Sequence, residues 1–179
     1  MIRIYIIASA ICLWVPIAAV SATNSAVSVH AHWVDWPNKE ASKQAEEGAT
    51  YQDSKLEADL ATSMRKTLAK ANIPTRFNAD LVVQIKVAGT TIDRRYTDSL
   101  FGTLNNRPTE YAGSYTAEVQ LRGETISRHS EKFSFKSSYG SGQTSTTISK
   151  MKVIGLINDW LTGHIETRKF RKALVSIPR

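Results

Sequence analysis

The sequence predicts an α+β domain: a mainly antiparallel sheet of about four strands, packed on one face by two helices, in the order β-α-β-β-β-α. Three observations predict it. Apolar residues alternate at period two around Val27–Trp33, Leu81–Val87 and Tyr115–Leu121, as in half-buried strands. They recur at helical spacing through Leu56, Leu60, Met64 and Leu68 and again from Ile148 to Leu161. Gly123 and Glu124 separate two apolar runs in the manner of a hairpin turn, which makes the strands beside it antiparallel.

The chain begins with Arg3 as its only charge before an apolar run, which Pro16 interrupts and which ends in Val20-Ser21-Ala22. Small residues after a short apolar core are the pattern of a secretory signal peptide, residues 1–22, cleaved after Ala22. An uncleaved anchor is the alternative, because the run approaches the roughly 20 apolar residues that span a bilayer. Either way the remainder is exported, to the periplasm or beyond. Cys12 lies inside the apolar run, and Ser9-Ala10-Ile11 before it is a poor lipobox, which favours a soluble form over a lipid-anchored one. Cleavage removes the only cysteine, so the fold rests on its core and not on a disulfide. Residues 23–163 suit one domain, followed by a basic helix or tail at 164–179.

The first strand places Val27, Val29, Ala31 and Trp33 inward. A polar connection with Pro37 and Gly48 follows. Asp53 or Ser54 caps a helix over about Ser54–Ala71, which Pro74 stops. The second strand turns Leu81, Val83, Ile85 and Val87 to one face, and the third does the same with Tyr115, Ala117, Val119 and Leu121. In the fourth, Ile126 is out of phase with Phe133 and Phe135, which predicts a bulge or a change of face between them. The last helix carries Met151, Ile154, Ile157 and Trp160 or Leu161 on its stripe, with Thr146 or Thr147 as its cap and Gly163 as its stop.

The formal charge is +7, of which cleavage removes one unit. Outside the cytoplasm a basic surface meets phospholipid headgroups or anionic polymers, and the expectation is no nucleic-acid partner. Basic residues gather at the end of the chain, where Arg168, Lys169, Arg171 and Lys172 interleave with Ile165, Phe170 and Leu174. Such a segment either docks on the body or lies on an anionic membrane surface, and docking is preferred.

Several patterns resemble reactive sites and fall short. Gly140-Ser141-Gly142-Gln143-Thr144 lacks the lysine and the glycine spacing of a phosphate-binding loop, so 137–150 reads as a flexible joint. His30 and His32, two apart on a strand, point to one side and could share a transition metal, yet a third ligand is missing from the pattern. Ser63 and Lys66 match S-x-x-K without the partner motifs of that chemistry. Asp93, Glu110, Glu118 and Glu131 could supply paired carboxylates, but spacing along a chain does not measure separation in space. No cofactor is implied. The connection from Thr97 to Gly113 is unusually long and carries Leu100, Phe101, Leu104 and Tyr111, either to cap the core or to bind a partner. Trp36, beyond the last inward residue of the first strand, is a further aromatic contact.

KLEADLATSMRKTLAKANI, then ADLVVQIKVAG, then YTAEVQLRGETISRHSEKFSF and a helix with GLINDWL form a helix, a strand opening on Ala-Asp, a hairpin and a closing helix. That order, over about Val27–Leu161, resembles the small α/β envelope domains of the TolB amino-terminal and curli-secretion CsgG type. The resemblance implies a non-catalytic envelope module that binds other proteins or helps assemble a complex, and it carries over no catalytic residue. The alternatives are a small periplasmic hydrolase or metal-binding protein, and a binder of anionic lipid or polymer through the basic tail.

Overall fold

A computed structural model describes residues 25–36, 51–93, 109–137 and 142–177. Residues 1–22, expected to be a signal peptide, and the loop residues Leu100, Phe101 and Leu104 lie outside them. The elements are β1 (Val27–Trp36), β2 (Tyr51–Gln52), α1 (Ser54–Lys70), β3 (Leu81–Asp93), β4 (Thr109–Leu121), β5 (Glu124–Ser137), α2 (Gly142–Ile165) and α3 (Arg168–Val175). The α+β fold is the expected one, with the two-residue β2 and the short α3 added to the predicted order.

The sheet runs β2-β1-β3-β4-β5 and is mixed. β3, β4 and β5 form an antiparallel meander, but β1 pairs with β3 in parallel from Val27↔Leu81 to Trp36↔Thr90. The reason lies in the connection. A strand that continues through a helix and returns beside itself has crossed over, and a crossover delivers a parallel neighbour. Val27, Leu81 and Leu121 stand abreast in the register, so odd-numbered residues of all three strands share one face.

Both long helices cover that face. Leu56, Leu60, Met64 and Leu68 of α1 and Val153, Ile157 and Leu161 of α2 join Trp33, Ile85, Tyr115 and Val119 in one core. Each fully buried aliphatic side chain contributes about 1.5–3 kcal/mol, which makes this layer the main source of stability. Asp53 caps α1, its carboxylate accepting from Leu56 N at 3.2 Å. Asn72 ends α1 in the left-handed conformation at φ 58°, with Ile73 N donating to Leu68 O at 2.9 Å. Pro74 follows, so the helix does not continue.

Four expectations are corrected. β3 extends to Asp93 and β4 begins at Thr109, so Tyr111 and Gly113 belong to a strand and the connection shortens to 94–108. The hairpin turns on Arg122-Gly123 and not on Gly123-Glu124. Both central residues have positive φ, 51° and 84°, which suits the twist of the strands they join. The strain at Arg122 is offset by Asp80, whose carbonyl accepts from Arg122 N at 2.7 Å and whose carboxylate meets Nε at 3.2 Å. α2 starts at Gly142, ahead of Thr146 and Thr147, and it runs through Gly163, where open space around the residue imposes no turn. The bulge at Ile126 is present: Val119 faces Ser127 while Gln120 faces Thr125, which leaves Ile126 without a partner and tips it toward the core.

Gly89 and Gly113 face each other across β3 and β4, and both are required by close approach. A Cβ on Gly89 would lie 2.3 Å from the Tyr111 hydroxyl; one on Gly113 would lie 2.0 Å from the Ala88 carbonyl oxygen. The Tyr111 side chain, though buried, has rotatable bonds with which to yield, whereas backbone inside a ladder has none. Gly113→Ala is therefore expected to lower the urea midpoint further than Gly89→Ala, with overpacking costs of about 1–3 kcal/mol. Equal losses in the two variants would refute this reading of the pair.

Candidate functional site

The C-terminal end of β1 carries alternate side chains to opposite faces. Trp33 and Asp35 point under the helices, and Trp36 points to the uncovered face. Trp33 is fully buried, and its Nε1–H donates to the Tyr111 hydroxyl at 3.2 Å. Tyr111 stacks on Trp33 at 6.5 Å between ring centroids and on Phe133 at 5.7 Å. Burial, reinforced by the Asp35 charge, pushes the Tyr111 phenol far above its ordinary pKa, so it stays a neutral hydroxyl. Lys150 of α2 pairs with Asp35, lies 3.9 Å from the Asp53 carboxylate and places its ammonium 5.6 Å from the centre of the Tyr111 ring. One lysine thus joins β1, the cap of α1, β4 and α2.

On the uncovered face, Val34, Trp36, Val82, Ala88, Ile92 and Ala112 are half-buried. The Trp36 Nε1–H and the Thr90 hydroxyl, abreast in the register, are withdrawn from water with no hydrogen-bond partner among the described residues. Glu110 is also buried at this end, where it accepts from the Ser134 hydroxyl. The register collects the chain's exits here. Trp36 lies beside Thr90, Asp93 beside Thr109, and Thr109 beside Ser137. Segments 37–50, 94–108 and 138–141 therefore all leave from one end of the sheet, and Leu100, Phe101 and Leu104 belong to the second of them.

The other predicted residues are dispersed. His30 Nε2 meets Ser28 Oγ at 3.0 Å, while His32 Nδ1 lies 2.9 Å from Glu57 Oε1 at the start of α1. Burial alone would raise the Glu57 carboxyl, but the Trp33 N–H, Gln52 and His32 outweigh it and hold the pKa below its ordinary value. Among the described residues no three His, Cys, Asp or Glu side chains converge as a metal site would. Glu118 is occupied by Arg128 and Gln120, and Glu131 by the Tyr115 hydroxyl at 2.9 Å. Ser63 accepts from Asn158 Nδ2 at 2.7 Å, which ties α1 to α2. At the chain's end α3 is docked: Phe170 is fully buried, and Thr167 caps the helix by accepting from Phe170 N. Arg168, Lys169, Arg171 and Lys172 remain exposed on its outer side.

Sequence reading missed Tyr111 as the centre of the buried cluster and Lys150 as its counterion. Lys150 stands two residues before Lys152 on the same helix, and nothing in the sequence separates the two. It also missed a run of rings that joins the sheet to the last two helices: Tyr115, His129, Trp160, His164 and Phe170 follow one another at 5.0–5.9 Å between centroids.

No protein-family model matches the chain, and no curated protein matches it significantly in sequence. Among solved structures, the fold is similar to that of a protein described as a neuraminyllactose-binding hemagglutinin homolog from Helicobacter pylori. The TM-score is 0.52 at 12% identity, over 85% of this chain and 88% of that one. A Xanthomonas campestris protein, XCC0632, gives a TM-score of 0.46 at 11% identity over 78% and 81% of the two chains. A minor lipoprotein from Acinetobacter baumannii gives 0.40 at 13% identity over 87% and 97%. The first likeness establishes a shared fold, and a fold does not carry chemistry with it.

Two measurements follow from this geometry. Lys150→Met leaves Asp35 as a buried charge without its partner, and a loss of about 3–5 kcal/mol is expected from urea unfolding. Replacing Asp35 by Leu in the same chain should recover part of it; a double variant no better than the single one would mean the pair is not coupled. His164 titrates in the opposite sense to a salt-bridged histidine. Burial, then His129 and Lys169, lower its pKa below the ordinary value, so the unfolded chain takes up the proton first. Its contribution to stability is complete above about pH 6.5 and is lost as the pH falls from there toward the lower folded value. His164→Gln should flatten that limb of the stability profile.

Proposed function

We propose that the chain is an exported, non-catalytic envelope protein that binds another envelope or extracellular protein, alone or within an assembly. The observation that carries this reading is the register that brings three connecting segments to one end of the sheet, next to Trp36. Loops grouped at one end of a rigid scaffold are a common way to present a binding surface. Leu100, Phe101 and Leu104, carried by the longest of these segments, are the contacts proposed for the partner. The leader sequence supports export, and the description of the Helicobacter pylori neighbour as a hemagglutinin homolog is in keeping with that setting.

Serine at Leu100, Phe101 and Leu104 together is expected to abolish crosslinking to the partner in intact cells while leaving the urea midpoint within about 0.5 kcal/mol of the parent, as for surface substitutions. Retained crosslinking with an unchanged midpoint would remove the loop from the partner surface. A large fall in the midpoint would instead assign these residues to the core.

A second reading rests on α3, which buries Phe170 and Ala173 and turns Arg168, Lys169, Arg171 and Lys172 outward. We propose that this face adheres to anionic membrane surfaces. Because Phe170 belongs to the core, truncating the tail would unfold its neighbours, and charge reversal is the sounder test. Glutamate at all four cationic positions should release the protein from vesicles containing phosphatidylglycerol at moderate salt; undiminished sedimentation would overturn this reading.

A further inference from the structure

At the opposite end of the sheet, where β1 begins, a cleft of about 280 Å³ opens between β1, α1 and the segment that leads into β3. Ser28, His30, Arg65, Thr75, Arg76 and Phe77 line it. Its backbone is fixed. Val27 N donates to Pro74 O at 2.9 Å and Arg76 N donates to Val27 O at 3.1 Å, so the segment carrying Arg76 is laced to the edge of β1. Ser28, only 2% exposed, donates its hydroxyl hydrogen to the Phe77 carbonyl at 2.6 Å. With that hydrogen committed, the 3.0 Å contact to His30 Nε2 is one in which the imidazole N–H donates and Ser28 Oγ accepts.

Two features of this cleft leave groups available to a ligand. Neither the Arg65 nor the Arg76 guanidinium makes an ion pair or hydrogen bond with another described side chain, although the nearest carboxylate along the chain from Arg76, Asp80, is engaged by Arg122. Phe77 is 86% exposed while its own carbonyl is anchored, so the ring is held out in solvent at the mouth. Two rigid forks of N–H donors from separate elements, beside the Thr75 hydroxyl and an imidazole, match a tetrahedral dianion better than a planar carboxylate, which one fork already satisfies. The volume exceeds what one phosphate needs, and the exposed ring offers an apolar surface for the organic part of an ester.

We propose that this cleft is a binding site for a phosphate ester, with Arg65 and Arg76 holding the phosphoryl oxygens and Phe77 contacting the substituent. The ester is either a soluble phosphorylated compound or the headgroup of an anionic phospholipid. The site is separate from the loop end of the sheet and from α3.

The test is titration of the protein with inorganic phosphate, followed by the NMR signals of His30 and of the arginine side chains. Saturable shifts are expected, with affinity reduced roughly tenfold or more in the Arg65→Gln, Arg76→Gln double variant. Both arginines are exposed, so the variant should keep its urea midpoint. Shifts that never saturate, or equal affinity in the double variant, would overturn the site. Vesicles of phosphatidylcholine with and without phosphatidic acid separate the two sources, since whatever α3 contributes is common to parent and variants. Loss of vesicle binding in the double variant and in Phe77→Ser, with phosphate affinity retained in the latter, identifies the headgroup. Vesicle binding unchanged in the double variant while phosphate binding is lost identifies a soluble ester.

Discussion

Lys150 is the constraint on which the loop end of the molecule depends. An ammonium only 16% exposed is costly to desolvate and is tolerated because Asp35 meets it directly, Asp53 stands close and the face of the Tyr111 ring adds attraction. The partners belong to different elements, so the charge can be satisfied only when β1, the start of α1, β4 and α2 occupy their native positions together. Hydrophobic burial drives the helices onto the sheet but is tolerant of small slides. A buried ion pair is not, because a shift of a few ångströms leaves charge without compensation.

The two ends of the sheet are built differently as a result. At the end of the sheet from which three connecting segments leave, aromatic stacking and the Lys150 cluster fix the strand and helix ends. At the other end, β1 is held by backbone hydrogen bonds to 74–76, and the Arg65 and Arg76 side chains lining the cleft there pair with no carboxylate among the described residues. Between them the uncovered sheet face is mostly polar, the balance expected of a sheet with one wet side. The ring series from Tyr115 to Phe170 then carries the order of the sheet through α2 into α3. This explains how a short, strongly basic terminal helix is held in place.

Much of the fold was legible because period and capping are local properties. The stripe Leu56, Leu60, Met64, Leu68 together with Asp53 and Pro74 delimits α1 almost to the residue, and the out-of-phase Ile126 announces the bulge in β5. The extension of β3 to Asp93 and of β4 back to Thr109 was not legible. Gly89, Thr90, Thr91, Ala112, Gly113 and Ser114 carry no strong alternation, and they become strand because each half of the hairpin supplies the other's hydrogen-bond partners. Likewise, Thr146 and Thr147 look like caps in isolation, yet the helix begins ahead of them at Gly142.

The sequence by itself determined the layer architecture, the inward residues of each strand and the cationic character of the last helix, because these follow from side-chain spacing and composition. Only the tertiary structure decided that β1 lies parallel to β3, that Tyr111 and Lys150 meet near Asp35, and that Arg65 and Arg76 line one cleft with Phe77 from separate elements. Each of these is a contact between residues distant in sequence. Its free energy depends on distance and desolvation in three dimensions, quantities that a one-dimensional pattern does not contain.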